Sequence, residues 1–384
     1  MKLIGLALLV PVIMGLSGDP AAGIPHFRQQ TIPTGGRGPR WISIADINRD
    51  GNPDILVTNA DSGTLTVLLG DGRGQFAPSP GSPFAAGGQP NDLGIADMNG
   101  DGNLDLVIPN HQTPYITILL GNGKGGFRSA PGSPFDVHSF PHPHGVAIGD
   151  FDGDGRPDVM TDSWGHNQVQ LLFGDGRGGL HLPGRFFPTG HRPYERLRTA
   201  DFNHDGHPDI VTTNLDDGTV TILLGDGKGS FHEAPGSPIA AGGKPWQMFV
   251  GDVNGDGNAD LAIIPYQRDL TDESQDVLTI LTGDGRGGFA RQPGPSLTLK
   301  GCRGPNAVTA GSLGSGRQVI AVGCAQSKTL LLFDRQGNAG YVSSSIPIAG
   351  GWGGIALGAL TRDGRPALVT ADADRGTITI LSPE

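Results

Sequence analysis

Five nine-residue stretches of this chain carry oxygen-bearing side chains at positions 1, 3, 5 and 9, with glycine at position 6. The sets are Asp46, Asn48, Asp50 and Asp54; Asp97, Asn99, Asp101 and Asp105; Asp150, Asp152, Asp154 and Asp158; Asp201, Asn203, Asp205 and Asp209; and Asp252, Asn254, Asp256 and Asp260. Position 7, occupied by Asn52, Asn103, Arg156, His207 and Asn258, offers a main-chain carbonyl. Side-chain oxygens at alternate positions plus one carbonyl make the oxygen cage that Ca²⁺ takes. The glycine lets the backbone fold sharply over the ion. A helical EF-hand would need glutamate at position 12, where this chain has Val57, Ile108, Thr161, Thr212 and Ile263. Ordinary Asx turns explain single copies of such a loop but not five with one acidic spacing. The expectation is about five Ca²⁺ sites with a structural role, because clustered carboxylates repel until a cation joins them and so couple folding to metal.

The elements that position these loops repeat with them. The first aspartates lie 51, 53, 51 and 51 residues apart. In each unit an apolar segment such as 41–45 enters the loop and a second, 55–58, leaves it. A β-forming stretch, 64–69, then runs into the turn Gly70-Asp71-Gly72-Arg73-Gly74, and Gln75-Phe76 opens a fourth strand. Alternating β-branched residues bounded by Asp-Gly and Asn-Gly turns are hairpin signals. Four antiparallel strands in each of several such repeats make propeller blades. Two further units keep the strand pattern around 312–318 and 359–367 but lack the outer aspartates, so no calcium is expected there. The fold expected for 24–384 is all-β: a seven-bladed β-propeller of four-stranded antiparallel blades. The last unit stops after three strands, and 26–31 matches the missing fourth. An N-terminal strand closing the last blade would remove two open sheet edges.

Composition agrees with many short strands: 65 glycines and 31 prolines in 384 residues recur at fixed offsets as turns. A formal charge of −11 without a basic cluster argues against a nucleic-acid partner. Residues 1–23 hold Lys2, an apolar run broken by Pro11, and then small residues. This reads as a secretory signal, with an uncleaved anchor as the alternative. The mature protein is then secreted or extracytoplasmic, with no membrane insertion after cleavage. The only cysteines, Cys302 and Cys324, flank one hairpin and are a candidate disulfide in an exported protein. The Gly-rich stretch 174–179 opens a strand rather than a helix, so it is hairpin chemistry and not a phosphate cradle.

The face opposite the acidic loops collects the remaining connections. Six residues before each loop stand Arg40, Asn91, His144, Glu195 and Trp246, followed by Trp41, Asp92, Arg196 and Gln247; Trp352 enters the seventh unit nearby. Loops between second and third strands add Asn59, Asn110, His111, Asp162, Trp164, His166, Asn214, Asp216 and Tyr266. Aromatic faces with amides and charges at a channel mouth suit carbohydrate; the plain alternative is a solvated rim. His138, His142, His144 and His166 could hold a transition metal or be polar surface. The run 192–198 could carry catalytic charge, although no nucleophile triad or carboxylate pair emerges from the spacing. The longest loop, 265–276, is a candidate partner contact.

The acidic loops and the Leu-Leu-Gly-Asp-Gly-x-Gly-x-Phe turns resemble the FG-GAP/VCBS repeats, whose propellers are similar to the integrin α-subunit head. The resemblance covers roughly residues 25–384. It implies seven blades with calcium on the lower face and an extracellular role in adhesion or carbohydrate contact. A calcium-stabilised module binding glycan or an extracellular protein is the function expected. A polysaccharide-acting lyase or hydrolase and a purely structural domain are the alternatives.

Overall fold

The computed structural model describes residues 26–266, 277–314, 317–337, 340–350 and 353–384. The stretch 1–23 read as a signal, Trp352 and residues 267–276 of the long loop lie outside the described residues, as does the side chain of Glu195.

Seven antiparallel sheets follow one another along the chain. The first blade has strands Pro39–Ala45, Asp54–Asn59, Thr64–Gly70 and Phe76–Pro78. The acidic loops join the first strand to the second in blades one to five. In the seventh sheet Phe27–Pro33 pairs antiparallel with Thr377–Pro383, so the N-terminal strand completes the last blade as expected. The 3₁₀ turn described in full is Trp164–His166.

The middle strands are apolar on both faces because each blade is packed between two others. In Asp54–Asn59 every residue is buried. Ile55 and Val57 face Val369, Ile378 and Ile380 of the seventh blade. Leu56 points the other way, toward Leu106 and Ile108 of the second. The two-residue period of a strand thus supplies both neighbours at once, and the run reads as continuously hydrophobic.

Two details differ from the single fourth strand expected. In blades one, two, four and five the outer strand is split, as in Phe76–Pro78 and Phe84–Ala85, both paired to the third strand. The intervening Pro80-Gly81-Ser82-Pro83 lacks two N–H groups and cannot continue a ladder. Ser82 Oγ fills the gap by accepting the Val67 N–H at 2.9 Å. Ser133 does the same for Ile118 and Ser237 for Ile222. Asn59, Asn110 and Asn214, expected on the rim, are buried instead. Each donates from Nδ2 to a threonine hydroxyl of the third strand (Thr66, Thr117 and Thr221) at 2.8–2.9 Å. Gly36 lies so close over Asn59 that a Cβ there would come within 2.4 Å of it.

Candidate functional site

The acidic loops fold around their own main chain. In four of the loops position 1 accepts from the N–H groups of positions 5 and 6: Asp46 takes Asp50 at 3.2 Å and Gly51 at 2.9 Å, and Asp201 takes Asp205 and Gly206 at the same distances; in the third, Asp150 takes Gly153 and Gly155. Position 5 accepts the N–H of position 7, as Asp101 does from Asn103 at 2.7 Å. The glycines at position 6 have φ between +79° and +89°, a region costly for any side chain. Asp150, Asp152 and Asp158 bring one carboxylate oxygen each within 4.8 Å of one another.

Position 9 is the buried member. Asp54, Asp105, Asp158, Asp209 and Asp260 have no exposed surface. Each accepts an N–H from loop position 2 and another from the glycine or its equivalent that ends the third strand, and Asp260 takes the Asn254 N–H as well, at 3.2 Å. For Asp209 these are Phe202 and Gly225, both at 2.8 Å. Burial pushes the carboxyls of Asp105, Asp158 and Asp209 up to about 6, against those hydrogen bonds and with neighbouring loop carboxylates adding to the rise. Asp54 and Asp260 move in the same direction for the same reasons. A buried carboxylate beside other carboxylates, amide oxygens and a carbonyl is a donor set suited to a hard cation, so these clusters could hold a metal. The loop of blade seven contributes a cation instead of acids. Arg362 donates to Asn52 Oδ1 at 3.1 Å and to the Asp50 carbonyl at 2.9 Å.

At the opposite end, the first strands of blades one, four, five and six open with a proline followed by an irregularity. Pro39 pairs with Asn59 and Trp41 with Thr58, which leaves Arg40 as the extra residue; Trp246 and Asn306 hold the same place in their blades. Such bulges re-aim a side chain out of the ladder. In blade four the irregularity spans Pro193 to Leu197. There Tyr194, not Glu195, follows the opening proline as Trp246 follows Pro245.

Several expected ligand residues are tied to one another across the ring. Asp92, 1% exposed, takes Arg198 Nη1 at 2.8 Å and Nη2 at 3.4 Å, from the first strand of blade four. Burial works to raise the Asp92 carboxyl, but Arg198 and Arg196 outweigh it and hold the group below the usual range. The Arg196 and Arg198 guanidiniums lie 4.6 and 4.9 Å from the Trp41 ring of blade one, a double cation–π contact. Arg196 also donates from Nε to Gln247 Oε1. Asn91 donates to the His144 carbonyl at 3.3 Å. Trp41, Asn91, Asp92, Arg196 and Gln247 therefore form a plug rather than an open rim.

Beside the plug lies an arc of half-buried rings that crosses three blades. Trp164 and Tyr194 have centroids 5.5 Å apart, Tyr194 and Trp246 5.5 Å, and Trp246 and Tyr266 4.7 Å. The Arg192 guanidinium sits 4.9 Å from Trp164 and 5.1 Å from Tyr194. His144 stacks on Tyr194 at 4.0 Å and adjoins His111 and His142. Of the expected histidines, His138 instead pairs with Asp136 at 3.0 Å, and His166 packs on Phe140. Tyr194 was obscured by the extra residue in its blade; aligning the opening prolines would have revealed it. Cys302 and Cys324 are joined by a disulfide.

Removing Arg198 leaves Asp92 charged and buried without its main partner. Arg198→Met is expected to cost about 3–5 kcal/mol in urea unfolding, with Asp92→Asn in the same chain recovering part of it. The position-9 aspartates set a pH trend in chelator-stripped protein. The folded carboxyls of Asp105, Asp158 and Asp209 are raised to about 6 from 3.8, and those of Asp54 and Asp260 move in the same direction, so the folded state binds more protons across that range. The burial cost is fully present above about 6 and is relieved as pH falls. The melting temperature in chelator is therefore expected to rise from pH 7 to pH 5.

A family model described as an FG-GAP-like repeat matches residues 46–108, 109–161 and 201–263. No curated protein sequence matches the chain. Among solved structures, a catalytically inactive virginiamycin B lyase from Staphylococcus aureus is 14% identical, with a TM-score of 0.57, covering 94% of this chain and 100% of that one. A protein of unknown function from Desulfotomaculum acetoxidans is 17% identical with a TM-score of 0.59, covering 84% and 89%. A putative 6-phosphogluconolactonase from Bacteroides fragilis is 15% identical with a TM-score of 0.53, covering 81% and 84%. At these identities the likeness is one of fold. By blade count, strand order and matched repeats, the chain is a seven-bladed β-propeller carrying FG-GAP-like repeats.

Proposed function

We propose that this protein is an exported, calcium-stabilised binding module that takes carbohydrate on the face opposite its acidic loops. The observation that carries the ligand reading is the arc of Trp164, Tyr194, Trp246 and Tyr266. It lines three neighbouring blades with aromatic rings, with Arg192 and its ion-pair partner Asp216 at 3.7 Å alongside. Sugar C–H surfaces lie on aromatic faces while charged groups at the edge take hydroxyls. Half-burial on a rigid sheet end means that little side-chain entropy is lost on binding. The calcium reading rests on five buried position-9 carboxylates, each raised by burial among other acids, for which a divalent cation is the natural counter-charge. Export is supported by the Cys302–Cys324 disulfide, which needs an oxidising compartment. Among the described residues no helix is long and apolar enough to cross a membrane.

Two experiments test the two halves separately. Calcium at a hundredfold excess over its dissociation constant adds about 2.7 kcal/mol per site, so chelation should lower the melting temperature sharply. Asp205→Ala should reduce the bound calcium measured by atomic emission by one ion per chain. Unchanged metal content and melting on chelation would remove the calcium reading. For the ligand, an array of oligo- and polysaccharides should yield a specific set. Trp246→Ala should weaken its binding about tenfold by calorimetry while leaving the melting temperature in place. An array without specific retention, or a Trp246→Ala variant that binds like the native protein, would defeat it.

A further inference from the structure

Three histidines from two blades meet at one end of the arc. Their rings are packed mutually, with centroids 4.3 Å apart for His111–His142 and 4.7 Å for both other pairs. One ring nitrogen of each can be chosen so that all three lie within 4.8 Å of one another. His111 belongs to the connection between the second and third strands of blade two. His142 and His144 come from the segment that enters blade three, where Pro141 and Pro143 alternate with them and stiffen the chain.

We propose that His111, His142 and His144 bind one transition-metal ion of the zinc class, at a site separate from the acidic loops. Two independent observations support it beyond the clustering. First, His144 is fully buried, and its Nε2 has no hydrogen-bond partner among the described residues. A buried acceptor left in that state is a defect unless something occupies it. Second, both outer rings are held from behind in the way that metal-binding imidazoles are. The Nδ1 of His144 lies 3.2 Å from Asp162 Oδ2, and the Nδ1 of His111 lies 3.2 Å from Gln89 Oε1. Acceptors at those positions make each Nδ1 the N–H donor and put the lone pair on Nε2. A carboxylate behind a ligating histidine is the usual outer-shell device for fixing tautomer and raising basicity.

Asp162 is itself built in rather than passing by. It is buried, and its other oxygen accepts the N–H groups of His144 and Gly145, both at 2.8 Å. One side chain thus sets both the backbone path and the ring orientation of His144. The preference for a zinc-class ion over calcium follows from the donors. Three neutral imidazoles suit borderline cations, whereas calcium takes oxygen. Three protein nitrogens also leave coordination open to water or to an oxygen of a bound molecule, in contrast to closed four-ligand structural sites. A dry histidine stack would place the same rings together but would give His144 Nε2 no partner.

The test uses the full-length exported protein without a histidine tag, stripped by chelator and then saturated with calcium so that the acidic loops are filled. Titration with Co²⁺ is expected to develop visible d–d absorption that saturates at one equivalent, and Zn²⁺ should displace it stoichiometrically. His142→Ala and His111→Ala, at half-buried positions, should each abolish the one-equivalent uptake while keeping native circular dichroism and calcium content. Asp162→Asn, a positioning change, should weaken Zn²⁺ affinity by roughly 10–100-fold with the spectrum retained. His144→Ala adds a third test if it folds; if it does not, the His111 and His142 variants decide. Failure of the native protein to take up Co²⁺ or Zn²⁺ above calcium-filled background would overturn the proposal. Uptake that survives both the His142→Ala and the His111→Ala changes would overturn it equally.

Discussion

The structure depends first on a carboxylate buried five times over. The aspartate at loop position 9 accepts one N–H from the start of its loop and another from the end of the third strand, so it pins the first hairpin of the blade to the second. No neutral side chain of that size accepts from both directions at once. The two N–H donors favour an anion at a buried position, and burial outweighs them by pushing its proton affinity up. The rest of the loop answers this tension with more oxygens than the backbone needs. Blades six and seven lack the acidic set, and other contacts stand in its place: Arg317 pairs with Asp334 in one, and Arg362 reaches the neighbouring loop in the other.

Ring closure then separates two unlike ends. At the acidic end, contacts stay within a blade or reach the adjacent one. At the other end, long side chains span the channel, with Arg198 of blade four on Asp92 of blade two and both arginines on Trp41 of blade one. Arg198 and Trp41 reach the centre from paired positions of their first strands, opposite Val211 and Thr58. The irregularity after the opening proline supplies Tyr194 and Trp246 to the arc in blades four and five. Plug and arc share one end of the ring: charged residues fill the centre and aromatic ones line the side.

How much of this was legible in the sequence follows from the range of each interaction. Seven blades of four strands, closed by the N-terminal segment, came from periodic patterns of local turns, and the structure has them. The split outer strand was readable too, since Pro80-Gly81-Ser82-Pro83 cannot sustain a ladder, but the serine that replaces a carbonyl has no local signature. Counting six residues back from each loop assigned Glu195 the place that Tyr194 takes, because blade four carries an extra residue that only the opening proline marks. The plug was invisible for a different reason. Trp41, Asp92 and Arg198 are joined by contacts spanning half the chain or less in sequence but the whole ring in space, and no periodicity encodes such pairs. His111 likewise meets His142 only because blades two and three are neighbours.

The hydrogen bond between Thr31 and Thr379 joins residues 348 positions apart. A nascent chain emerging from the ribosome has the earlier of these strands from the outset, yet that strand has no edge to pair with until residues 377–383 have been made. Blades one to five can assemble as synthesis proceeds, whereas the circle closes only once residues 377–383 have been added, so the ordering entropy of that long-range pairing is met late. Until then an unpartnered strand edge stays exposed.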